Sequence, residues 1–283
     1  MKQIRKSGLW AKVGRLALCL GAGLAWCGCG TVGNLSATAG GAGHADTMYQ
    51  ISLMQGLTEG DFEGSITVAE FKQLGDTGIG TFDGLNGELI LLDGHLFRAA
   101  GDGAVEEVAA EETIPFGNTS TFGADRTEQV AEVADFEALK AILDRGVEAL
   151  GGNYFYLARV DGTFEEMHVR SEYGQTPPYG TIAEALAKDQ TFFDFEGIRG
   201  TMVGIYCPNY MGQMNGVGWH FHFISEDRTQ GGHVLGVRVR EAEVSWDKAN
   251  RFHVVLPASA TFRKTDFSID RSADVRHAET NEE

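Results

Sequence analysis

Only one cysteine, Cys207, lies beyond residue 29 of this 283-residue chain, which excludes a disulfide framework for its body. Proline is scarce, at five residues, and no apolar run reaches the about 20 residues that a membrane-spanning helix needs. Positive charge is also short. Against 40 Asp and Glu stand 23 Lys and Arg, and setting aside the five cations near the start turns the formal −17 into −22. Such an acidic surface repels phosphate, so nucleic acid is not an expected partner. The chain has no P-loop, no Gly-x-Ser-x-Gly elbow and no internal repeat. From Gly78 to Gly84 it reads GIGTFDG, but the last glycine falls one place too late for a dinucleotide loop and a strand pattern follows.

What is present is a folding composition, 43% hydrophobic, able to bury the core of one large or two modest domains. Lys2, Arg5, Lys6, Lys12 and Arg15 precede the apolar run Leu16 to Trp26, with no acid before Asp46. That order is the basic and apolar part of an export signal. Residues 1–29 therefore read as a secretory or lipoprotein-type leader, and the Gly/Ala/Ser/Thr-rich residues 30–46 as a flexible tether. Cys27 and Cys29 each close a lipobox-like tetrapeptide in which Trp26 is oversized, so lipid anchoring and cleaved secretion both stand. The expectation is an exported protein that meets a membrane only through an N-terminal lipid anchor.

Thr67-Val68-Ala69-Glu70 has capping-box spacing and opens a short helix that Gly75 closes. GELILLD from Gly87 predicts a buried strand, turned at Asp93-Gly94 into a hairpin partner at 95–99. Further strands are expected around Val105, Pro115 and 119–122. Phe136, Leu139, Ile142, Leu143, Val147 and Leu150 recur at helical spacing behind the N-cap Asp135, and Gly151-Gly152 end that helix. A hairpin about Asp161-Gly162 is expected next, with strands at 154–160 and 163–170, and then a second capped helix opening at Thr181. Strands at 192–196, 200–206, 218–224, 233–239 and 252–256 complete the pattern. The fold class is mixed α/β (α+β), in two domains, 47–160 and 161–283, whose mixed sheets are largely antiparallel.

The chemistry is concentrated in GWHFHFISEDRTQGGH. Side chains alternate along a strand, so His220 and His222 share one face while Trp219, Phe221 and Phe223 share the other. The intervening residues include Gly231 and Gly232 and are enough for a turn that returns His233 to the pair. Three imidazoles without a cysteine suit zinc or another borderline divalent ion and leave coordination positions open, as catalytic sites do. His44, His95, His168, His253 and His277 are scattered singly, and Cys207 reads as a small core residue.

Together with GDTGIGTFDGLNGELILLDG, HVRSEYGQTPPY and GTMVGIYCPNYM, this motif makes the chain resemble the alpha-acetolactate decarboxylases, from about Tyr49 to Glu279. The resemblance implies a two-domain α/β protein with zinc between the domains on His220, His222 and His233, and with Glu88, Arg170 and Glu279 lining the site, the acidic tail reaching it. The resemblance also lets Thr81 add a polar contact. It implies conversion of 2-acetolactate, a small 2-hydroxy-3-oxo acid, to (R)-acetoin and carbon dioxide, and it leaves room for a homodimer.

Elementary chemistry agrees with that residue set. Loss of carbon dioxide from a β-keto acid leaves an electron pair, and Zn2+ holding the ketone and hydroxyl oxygens would stabilise the resulting enediolate without an organic cofactor. Arg170 offers a planar charged fork to a carboxylate. Glu88 and Glu279 are the candidates to protonate one face of the planar intermediate. Two alternatives remain at this point. In a cupin-like dioxygenase or isomerase Glu226 would replace His233 as ligand. In a non-catalytic exported metal-binding protein the histidines would serve only capture or structure.

Overall fold

The computed structural model describes residues 46–280, with side chains as far as residue 276. The expected leader and nearly all of the tether lie outside them. In chain order the strands are β1 (Thr47–Ile51), β2 (Ile66–Thr67), β3 (Thr77–Thr81), β4 (Glu88–Leu92), β5 (His95–Ala99), β6 (Val105–Glu107), β7 (Thr113–Ile114), β8 (Gly117–Ser120), β9 (Arg126–Val133), β10 (Phe155–Glu172), β11 (Gln190–Cys207), β12 (Gly218–Ser225), β13 (Gly231–Ala249) and β14 (Arg251–Val255). The helices are α1 (Met54–Thr58), α2 (Val68–Phe71), α3 (Phe136–Leu150), α4 (Ile182–Leu186) and α5 (Ser272–Thr280).

Local rules account for the helix starts. At α2 the Thr67 hydroxyl accepts from the Glu70 N–H at 3.2 Å, and the Glu70 carboxylate accepts from the Thr67 N–H at 2.9 Å. The same two-way cap joins Thr181 and Glu184 at α4, and Asp135 caps α3 through the Ala138 N–H at 2.8 Å. Asp93 and Gly94 both take positive φ, 53° and 78°, which is the turn geometry that the β4–β5 hairpin requires.

Seven strands form one sheet in the order β14-β1-β8-β3-β4-β5-β6, antiparallel except for β1 with β14. A second sheet runs β10-β11-β12-β13-β9, and β10 also pairs with β13. That extra pairing closes β10, β11, β12 and β13 into a ring. The architecture is a sheet-dominated mixed α/β fold with few helices, largely antiparallel as expected.

Three details differ from the local reading. Asp161-Gly162 is not a turn: β10 runs unbroken through it, with Gly162 facing Gly200 on one side and Ala242 on the other. A Cβ at Gly162 would come within 2.3 Å of the Glu241 carbonyl, so glycine here permits close strand approach. Long ladders on both edges of β10 outweigh the local hairpin preference of Asp-Gly. The expected division between residues 160 and 161 falls inside this strand, and the described residues belong to one compact unit. Similarly, 192–196 and 200–206 are parts of one strand, β11, which pairs with β10 in one constant register on both sides of Gly197. The charged edge strand β9 carries too little apolar alternation to announce itself.

Four buried clusters hold these elements. One packs α3 on β10, β12 and β13 through Leu139, Leu143, Phe221, Phe223 and Trp246. A second joins the sheets, with Ile79, Ile90 and Leu92 from the seven-stranded sheet against Leu157, Val203 and Ile224. A third, around Ile51, Phe71 and Leu89, lies against α2. The fourth brings α1, α4 and α5 together through Met54, Leu57, Ile182, Leu186 and Val275.

Candidate metal centre

Burial drives the alternation along β12. Phe221 and Phe223 enter the α3 core, and this turns His220 and His222 together toward the seven-stranded sheet. The β12–β13 register places His233 directly opposite His222, and the β10–β13 register places Arg170 beside His233. Gly232, at φ 150°, makes that neighbourhood compact: a Cβ there would stand 2.6 Å from the Arg170 carbonyl.

The three rings converge. His220 Nε2 lies 3.0 Å from His222 Nε2 and 3.0 Å from His233 Nδ1, and one ligand nitrogen from each ring falls within 4.8 Å of the others. Tetrahedral coordination with metal–nitrogen bonds of about 2.0–2.1 Å spaces its nitrogens about 3.3 Å apart, so the triad is close to a ready cap for a divalent ion. An imidazole nitrogen offers a single lone pair or a single hydrogen. A cation between the rings satisfies three lone pairs at once, which hydrogen bonding among them cannot do.

The tautomer of His222 is determined by the opposite sheet. Its Nδ1 lies 2.8 Å from the Leu89 carbonyl oxygen, so Nδ1 carries the hydrogen and Nε2 keeps the lone pair that faces the other rings. Burial, followed by the repulsion of His220, holds its pKa well below the usual histidine range, so the ring is neutral and ready to ligate.

Around this triad stand the other expected residues. Glu88, at the start of β4, places Oε2 3.1 Å from His222 Nε2. Thr81 pairs with Glu88 across β3 and β4 and donates its hydroxyl to the Gly87 carbonyl at 2.9 Å. Both line one cavity with Arg170 and the three histidines. Arg170 is 4% exposed. Its neighbour Ser171 donates to the Ala99 carbonyl at 2.6 Å, a second tie between the sheets. Glu279 lies in α5, and its side chain is outside the described residues. Val275 packs that helix beside α1 and α4.

Glu226 is not brought to the site. It sits in the exposed β12–β13 turn, 3.4 Å from Arg199, which removes the ligand that the cupin-like alternative needs. His220 and His233 also border a groove of about 570 Å3 lined by the first turn of α3, but Glu88 and Arg170 line only the inner cavity.

One residue escaped the sequence reading. Glu172 is buried in the same cavity, with its carboxyl beside that of Glu88. Burial pushes its pKa up, against the opposing pull of Arg170. Its Oε2 has no hydrogen-bond partner among the described residues. The signal available was the i, i+2 relation to Arg170, which places both on one strand face once β10 is known to continue through Glu172.

Fold and site together define a sheet-rich α/β enzyme with a buried three-histidine centre able to hold a metal. The chain belongs to the alpha-acetolactate decarboxylase family: the profile of that description matches residues 48–269. The chain is thus a carboxy-lyase. It is 36% identical over 235 residues to the alpha-acetolactate decarboxylase of Methanosarcina mazei, covering 83% of this chain and 81% of that one. It is likewise 36% identical over 239 residues to the Bacillus licheniformis enzyme, covering 84% of this chain and 93% of the relative. The crystal structure of alpha-acetolactate decarboxylase from Bacillus subtilis strain 168 superposes with a TM-score of 0.79 at 31% identity, covering 83% of this chain and 99% of that one.

Proposed function

We propose that the protein decarboxylates 2-acetolactate to (R)-acetoin, with zinc held by His220, His222 and His233. The observation that carries this reading is the convergence of an open three-imidazole set, two buried carboxyls and a buried arginine on one cavity in a chain of this family. Three neutral imidazoles without thiolate suit zinc. When bound, the ion supplies Lewis acidity that accommodates the electron pair left behind as carbon dioxide departs.

The residues do the rest. Arg170 binds the substrate carboxylate, and the apolar surroundings of the cavity keep that pairing dry and therefore strong until the carbon–carbon bond breaks. The electron pair spreads into the adjacent carbonyl as an enediolate, and its carbon then takes a proton from one side only. Glu88 is the acid that we assign to this delivery, with Glu172 holding the second carboxyl of the pair and Glu279 as the other candidate acid. Water then restores the proton to the acid. Delivery from a single side gives one enantiomer.

Purified protein incubated with racemic acetolactate is expected to release acetoin of one hand, and to lose the activity on chelation. Metal-loaded protein with no acetoin above the spontaneous background would instead favour the capture-only role. We also propose export, supported by the basic and apolar order of residues 1–29. Fractionation of cells expressing the full chain tests it: retention in the cytoplasm overturns it.

A further inference from the structure

The cavity has two chemically distinct halves. The histidines, Glu88, Arg170, Glu172 and Thr81 form one, and the other is apolar: Met54 and Leu57 from α1, Ile182 and Leu186 from α4, and Leu85 and Phe116 from the intervening loops. Spacings of three and four residues put each helical pair on one face. All six belong to a cluster of their own, stapled by Val275 of α5 and distinct from the clusters that hold the sheets. A 2-hydroxy-3-oxo acid has a matching division, with carboxylate, hydroxyl and ketone oxygens on one side of its chemistry and alkyl groups on the other. The polar half has donors and charges for every oxygen and nothing suited to a methyl group.

We propose that the α1–α4 wall, chiefly Leu57, Ile182 and Leu186, is the specificity determinant that sets how long the alkyl substituents of the substrate can be. This rests on the acetolactate reading and names the part of the site that limits its range. A tightly bounded apolar pocket discriminates by about 10–200-fold for each methylene added or removed. Because the wall is a separate cluster, trimming it enlarges the apolar half without moving the ligand strands.

The test is kcat/KM for acetolactate and for two homologues, one with an added methylene on the C2 substituent and one with it at the acyl end. Parent, Leu186→Ala and Ile182→Val are compared. Leu186→Ala is expected to move the homologue-to-acetolactate ratio about tenfold toward a longer substrate. Ile182→Val, which removes one methylene and folds readily, should move it in the same direction by less. Ratios within twofold of the parent for Ile182→Val, and for Leu186→Ala where it folds, overturn the assignment while leaving the acetolactate reading intact. A parent that turns over none of the three acids overturns the underlying reading instead.

Discussion

His222 reaches across from β12 to the carbonyl of Leu89 on β4, 2.8 Å away, so one imidazole both fastens the two sheets and aims a lone pair at His220. Removing it therefore does two kinds of damage. His222→Ala and His220→Ala should each lose bound metal and at least about 100-fold in activity. Only His222→Ala also breaks a buried hydrogen bond between the sheets, at about 0.5–1.5 kcal/mol. Metal analysis with thermal melts of the metal-free proteins separates the two effects: equal melting temperatures for the two variants would refute the fastening role.

Glu226 and His233 make a direct contrast. His233→Gln should abolish stoichiometric metal binding, whereas Glu226→Gln, in the exposed turn beside Arg199, should keep it in full and retain activity within about twofold. Elemental analysis of both variants decides this, and loss of metal from Glu226→Gln would revive the cupin-like ligand set.

Glu172 should matter through Glu88. Glu172→Gln retains a hydrogen-bonding partner for the Glu88 carboxyl and removes an acid whose burial is unfavourable, so its activity should stay within about tenfold of the parent. Glu172→Ala removes the partner and leaves a void, and kcat should fall by about 100-fold with metal content unchanged. The enantiomeric purity of the acetoin is the second readout. Identical kcat and purity in Glu172→Ala would show that Glu88 needs no partner.

Asp247 on β13 is buried, accepts the Gly123 N–H at 3.2 Å, and has a pKa pushed up to about 7, by burial first and then by Asp125, Asp46 and Asp76. Its folded pKa lies above the unfolded value, so the native state binds the extra proton and stability falls as pH rises from about 4 to about 7. Asp247→Asn should therefore raise the melting temperature at pH 8, by about 2–4 °C for each kcal/mol recovered, and change little at pH 4. A gain of equal size at both pH values would contradict that origin.

Much of the ligand set was legible because it follows from local alternation. His220 and His222 share a face for the same reason that Phe221 and Phe223 enter the core, and the capping boxes at Thr67 and Thr181 form as their spacing requires. Asp161-Gly162 misled because its turn preference is local, whereas β10 is held by ladders to strands far along the chain. Glu172 went unseen for the same reason: its strand face exists only when β10 extends past Arg170.

Residue types and periodicity were enough to point to a histidine trio able to hold a metal and to a mixed α/β fold, and the long ordered motifs carried the family resemblance. Only tertiary structure decided which carboxyl groups meet in the cavity, which sheet sets the tautomer of His222, and which apolar side chains line the cavity. The difference is physical. Alternation and capping act over a few residues, while burial and charge pairing depend on neighbours that meet only when β3, β4, β10 and β13 converge on one cavity.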